Sequence, residues 1–182
     1  SGPRMKVRFF AGQGFADRYD SYDAMITDGY AKGVPMGGDY TGTESPQFLV
    51  WAMKDPIGPN LDRIQIVKGW YEDGELKDEI VDVVASGDRL QADGSVTPID
   101  APIDMATGDF NAEKGDPELM GVWTDPNWDP AQEAFYYVRV LQLPTGRWTL
   151  YDELRAGVKY PDDVKREIVE RAWASPIWHE VN

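Results

Sequence analysis

No cysteine occurs in the 182 residues, which excludes disulfides, thiolate metal sites and a cysteine nucleophile. Histidine is almost as scarce: His179 is the single one. Histidine-based zinc centres and Ser-His-Asp chemistry therefore have almost nothing to be built from here, and any such site would need a second chain. Basic residues are also few. Lys and Arg total 18 against 32 Asp and Glu, a net charge of −14. Phosphate neutralisation by Lys and Arg supplies most of the affinity of nucleic-acid binders, so this balance argues against a nucleic-acid partner. An anionic membrane surface is disfavoured on the same ground. No apolar run approaches the roughly 20 residues of a membrane span, and no signal-peptide pattern opens the sequence. Lack of cysteine suits the cytoplasm and an oxidising periplasm alike, so the compartment stays open.

What is present fits one folded domain over residues 1–182. A chain of this length buries roughly 70% of its unfolded surface without needing staples. Strand signals dominate. Met5, Val7 and Phe9 alternate from the start, so the chain enters a strand within a few residues of Ser1-Gly2-Pro3-Arg4, the opening expected of a domain cut from a longer protein. Gln47 to Met53 is a continuous apolar run closed by Asp55-Pro56, the pattern of a strand buried on both faces. Leu61 to Trp70, a turn at Tyr71–Glu75, and Glu79 to Val84 read as a hairpin. Ser95 to Ile99 reads as an edge strand bounded by prolines. Leu119 to Trp123 and Phe135 to Leu143 are further strands, the latter β-branched and aromatic. Residues 11–45, rich in Gly, Asp and Tyr, read as a long ordered loop excursion. Residues 162–173 read as the one helix, with Asp162 as N-cap and Val164, Ile168 and Ala172 on one face. The fold class expected is mainly β, a β-sandwich of Ig-like or jelly-roll layering with long loops and one C-terminal α-helix.

Several runs carry a family resemblance. They are Pro3-Arg4-Met5 with Val7-Arg8-Phe9-Phe10, Gly33-Val34-Pro35-Met36-Gly37-Gly38-Asp39, and Lys54-Asp55-Pro56 followed by Asn60 to Trp70. Phe135 to Val140, Arg147-Trp148 with Tyr151-Asp152, and Glu170-Arg171-Ala172-Trp173 with Ser175-Pro176-Ile177-Trp178 complete the set. Together they resemble the bacterial family catalogued as domain of unknown function 3604, along nearly the whole chain. The resemblance implies a longer parent protein, similar to PHP-type metal-dependent hydrolases, whose N-terminal barrel carries a His-x-His motif and binds divalent metal. Residues 1–5 resemble the junction between that barrel and a C-terminal β domain. This sequence departs from the complete pattern in having no His-x-His, so the ligands of any such metal lie outside it. The role implied is a non-catalytic accessory domain that packs on the N-terminal catalytic domain and shapes its mouth.

The residues themselves offer few candidate sites. No catalytic residue stands out: Asp82 among Ile80, Val81, Val83 and Val84 reads as an outward strand residue. No cofactor is expected in this chain. Asp125-Pro126-Asn127-Trp128-Asp129 gathers oxygens on a stiff loop, which makes Asp125 and Asp129 candidate calcium donors without EF-hand spacing. The loop from Asp55 to Asp62 gathers oxygens in the same way. Aromatics make up 12% of the residues. They read first as packing and interface surface, with the 11–45 loop and Trp70, Trp128 and Trp178 the candidates for contact with the barrel and His179 a further binding candidate. The alternative is a carbohydrate-binding module, with a glycan as partner, using exposed Trp and Tyr rings. Arg139, mid-strand among apolar neighbours, needs a polar partner if it faces inward.

Overall fold

The computed structural model describes residues 2–181. Along the chain the elements are β1 (Lys6–Gly12), α1 (Tyr22–Lys32), β2 (Gly33–Pro35), β3 (Asp39–Tyr40), β4 (Gln47–Met53), β5 (Leu61–Glu72) and β6 (Glu75–Ala85). They continue as β7 (Glu118–Thr124), β8 (Ala134–Gln142), β9 (Thr145–Gly146), α2 (Trp148–Ala156), β10 (Glu167–Ile168), β11 (Arg171–Trp173) and β12 (Ile177–His179). Two sheets face each other. One has the order β2-β1-β4-β7; the other has the order β3-β12-β8-β5-β6, with β11 also paired to β8. β9 and β10 form a separate two-stranded ribbon. The protein is therefore mainly β and layered as a β-sandwich.

Strand alternation sets the layers. Phe9, Ala11, Phe48, Val50 and Ala52 of the smaller sheet meet Ile64, Ile66, Tyr136, Val138, Val140 and Ile177 of the larger one in a single core. β4 is buried on both faces, as its apolar run predicts. Its other face carries Leu49 and Trp51, which join Phe10, Phe15 and Met25 in a second cluster under α1. The turn between β5 and β6 is a two-residue hairpin, with Asp73 (φ 54°) and Gly74 (φ 86°) both left-handed, the geometry that matches strand twist.

Three expectations fail, each for a physical reason. The 11–45 excursion is not one loop: it holds α1, β2 and β3. Its glycine content reflects close packing, because a Cβ on Gly29 would lie 2.7 Å from the Phe10 ring that the helix covers. The Ser21 side chain caps α1 by accepting from the Ala24 N–H at 3.2 Å. The helix of the C-terminal part is α2, Trp148–Ala156, not residues 162–173. Glu167–Ile168 and Arg171–Trp173 are drawn into strand pairing with β9 and β8, where edge donors and acceptors take precedence over a three-residue apolar stripe. Arg166 pins the intervening chain, bonding both carboxylate oxygens of Glu153 at 2.7 and 3.0 Å and the carbonyls of Tyr160 and Val164. Ser95–Ile99 gives no strand among the described residues, only a bridge between Leu90 and Val96.

α1 is further tied down by Tyr19, whose hydroxyl donates to Asp28 at 2.5 Å, while Lys32 reaches the same carboxylate at 2.9 Å. Burial first, and then the bond to Asp28, push the Tyr19 phenol up to about 12. The Tyr19 and Lys32 bonds hold the Asp28 carboxyl below its ordinary range. The unfolded chain ionises this tyrosine near pH 10, roughly its unperturbed value. The stabilisation is therefore complete below about pH 10 and is lost as pH rises through about 12. Urea denaturation at about pH 9 and about pH 11 should show a fall in stability that is visibly smaller in Tyr19→Phe.

Candidate functional site

The outer face of the larger sheet is built row by row from the register of β12, β8, β5 and β6. Trp178 lies beside Phe135, Phe135 beside Gly69, and Gly69 beside Asp78. The next row is Tyr137, Val67 and Ile80, and the one beyond it is Trp173, Arg139, Gln65 and Asp82. At the opposite end, Tyr71 faces Leu76 across the hairpin. Tyr71, Leu76, Ile80, Trp173 and Trp178 are each between 45% and 75% exposed. Soluble monomers rarely leave so many large apolar side chains on one sheet face.

A cleft of about 320 Å³ opens where the rows meet the hairpin, lined by Gly69, Tyr71, Leu76, Phe135 and Trp178, with Glu133 and Glu180 among its other walls. Gly69 shapes it: a Cβ there would fall 2.3 Å from Phe135 Cζ, so the phenyl ring lies over bare backbone. Phe135 runs nearly parallel to Tyr137 at 6.4 Å and is tilted 53° to Trp178 at 5.3 Å.

Behind the cleft, inside the sandwich, Lys68 points into the core with Asp125. The Asp125 carboxylate accepts from Lys68 Nζ at 2.6 Å, from the Tyr136 hydroxyl at 2.7 Å and from the Asn127 N–H at 2.8 Å. Lys68 also donates to the Asn127 carbonyl at 3.0 Å and lies over the rings of Trp70 and Tyr136 at 5.3 and 5.7 Å. Burial, reinforced by Asp125, raises the Tyr136 phenol far above its ordinary range. His179 sits beside this group on the inner side, its ring 5.2 Å from Trp128 and its Nδ1 3.4 Å from the Tyr40 carbonyl.

Trp70, Trp178 and His179 thus line one cleft, and Trp128 packs directly behind His179. The calcium candidates are bonded within the protein. Both Asp125 oxygens have protein partners, and Asp129 accepts from the Ala131 N–H at 2.8 Å in a tight turn. On the other oxygen-rich loop, Asp55 bonds the N–H groups of Arg4 and Ile57, and Asp62 pairs with Arg63 and Arg89. No group of three His, Asp or Glu side chains among the described residues is arranged to hold a metal ion. Arg139 finds a neutral partner: its Nε donates to Gln65 Oε1 at 2.7 Å, and Gln65 donates on to Asp82 at 2.8 Å. Sequence reading missed Phe135, Tyr71, Leu76, Glu133 and Glu180 as cleft residues. The signal available was Gly69, a lone glycine inside a strand, which marks a close approach.

A family model described as "Protein of unknown function (DUF3604)" matches residues 1–181. The chain belongs to this family. No curated protein and no solved structure matches it. The family model spans the whole of the described chain.

Proposed function

We propose that this chain is an accessory β domain of a larger metal-dependent hydrolase, packing through the outer face of its larger sheet against a catalytic barrel outside this sequence. The observation that carries the reading is the laddered apolar face, from Trp173 through Tyr137 and Ile80 to Trp178. Strand register sets these side chains on one face beside the polar row of Arg139, Gln65 and Asp82, an apolar patch with a polar margin of the kind found at interfaces. The resemblance to PHP-type hydrolases supplies the partner, because the divalent-metal ligands expected of such an enzyme are missing from a chain with one histidine. The carbohydrate-binding alternative asks for a coplanar row of exposed rings; Phe135 and Tyr137 are nearly parallel but half-buried, and the exposed Trp178 ring is tilted 53° to Phe135.

The test uses a longer family protein carrying both parts. The longer protein is expected to hydrolyse esters or phosphoesters with divalent metal, and the present chain alone is expected not to. Ile80→Lys with Trp173→Glu should alter the stability of the isolated chain by no more than about 1 kcal/mol, since both side chains are exposed. In the longer protein the same pair should make the β domain separable by limited proteolysis, because charges buried in an interface cost about 2–5 kcal/mol. Turnover by the short chain equal to that of the long one would refute the reading.

A further inference from the structure

We infer that the cleft at the hairpin end of the outer face is a receptor for a small quaternary-ammonium cation. A cation is favoured over the face of an aromatic ring within about 6 Å of its centroid. Phe135 and Trp178 pack on each other in the cleft wall, 5.3 Å apart and tilted 53°, so the ligand sits against this aromatic wall rather than between the two rings. Tyr71 and Leu76 extend the wall.

Charge selects the sign. Glu133 and Glu180 stand in the lining, and neither forms an ion pair among the described residues. No Lys or Arg is in the lining. The two lysines at this end of the sheet are engaged elsewhere, Lys77 by Glu72 at 2.7 Å and Lys68 by Asp125 at 2.6 Å. His179 is the one basic side chain present, and its ring is directed to Tyr40 and Trp128. The whole chain, at −14, adds an attractive field for a cation.

Hydrogen-bonding capacity selects the class. An ammonium carries three N–H donors and a guanidinium five, and each needs an acceptor. The inner wall is rings, Leu76 and the bare Gly69 backbone, and the two carboxylates stand exposed. A quaternary ammonium has no donors to leave unmet and keeps its charge, so it suits an apolar wall with an acidic rim. A sugar has many hydroxyls and no charge, and suits it less. The cleft shares Trp178 with the packing face and uses neither Ile80 nor Trp173; the titration is made on this chain alone, so its failure and that of the packing reading are read separately.

The experiment is a nuclear magnetic resonance titration of the isotope-labelled chain with choline, and in parallel with its uncharged carbon isostere, dimethylbutanol. Saturable shifts centred on the Trp178 indole are expected, with choline bound at least about tenfold more tightly than the isostere. Trp178→Ala and Tyr71→Ala should each weaken choline by about tenfold while leaving core resonances in place, since both side chains are exposed. Ile80→Ala should change nothing. Glu133→Gln with Glu180→Gln should weaken choline several-fold and flatten its salt dependence. Equal binding of the isostere would reduce the cleft to an apolar hollow. Shifts from a neutral oligosaccharide without any from choline would assign it to sugars instead. Absence of saturable choline shifts would overturn the inference outright.

Discussion

Asp125→Ala is expected to lower the unfolding free energy by about 3–5 kcal/mol, the range for leaving one member of a buried ion pair uncompensated. Lys68 and Asp125 are nearly fully enclosed, with side-chain exposures of 5% and 1%. Removing the carboxylate strands an ammonium between Trp70 and Tyr136 and deprives the Tyr136 hydroxyl of its acceptor. Lys68→Met should cost less, because Asp125 keeps the Tyr136 hydroxyl and the Asn127 N–H as donors. The double variant Lys68→Met with Asp125→Leu should recover much of the loss, since an apolar pair avoids the desolvation of both charges. Asp129→Ala removes one exposed turn bond and should cost no more than about 1 kcal/mol. Urea denaturation midpoints at constant slope read the whole series. The same instrument tests the loop as a calcium site. Because both Asp125 oxygens are engaged, added calcium should leave the wild-type midpoint unmoved; a calcium-dependent rise would show that the loop is more than a buried ion pair and its turn.

The parts of the fold that sequence reading captured are those where local pattern and tertiary environment agree. β4 is apolar throughout because it has a core on each side, and β8 alternates because it has one. The Asp73-Gly74 turn has the left-handed backbone its residues favour. Where the two disagree, the environment prevails. Val164, Ile168 and Ala172 have helical spacing, yet β8 presents a free edge, and the 167–173 chain meets that edge and the β9 ribbon with backbone hydrogen bonds. α1 was hidden by Gly29, which lowers helix propensity but is needed so the helix can lie on Phe10. The site shows the same split. The importance of Trp70, Trp178 and His179 was legible as aromatic and histidine content near the chain's strand ends. Their convergence was not, because it depends on the antiparallel registers of β12 and β5 on β8, which set His179 and Trp70 on either side of Ala134. The role of Asp125 was equally hidden, since its partner Lys68 lies 57 residues away.

Phe48→Ala is expected to cost about 3–5 kcal/mol, the range for truncating a buried aromatic to alanine. Phe48 is fully buried near the start of β4 and joins the two sheets. Its ring lies 5.6 Å from Phe9 and 5.8 Å from Trp123 in its own sheet, and 4.4 Å from Tyr136 across the core. Phe48→Leu, which keeps more of the volume, should cost distinctly less. Tyr136 is the shared neighbour: it packs on Phe48 and donates its hydroxyl to Asp125. Phe48→Ala and Asp125→Ala should therefore fail to add, with a coupling of about 0.5–3 kcal/mol, as for residues that share a partner. Leu49→Ala serves as the control. It lies on the opposite face of the same strand in the cluster under α1, so its loss should add to that of Asp125→Ala. Strict additivity of Phe48→Ala with Asp125→Ala would mean that the aromatic core and the buried ion pair are held independently. The measured coupling would instead show that Tyr136 ties the aromatic core to the buried ion pair.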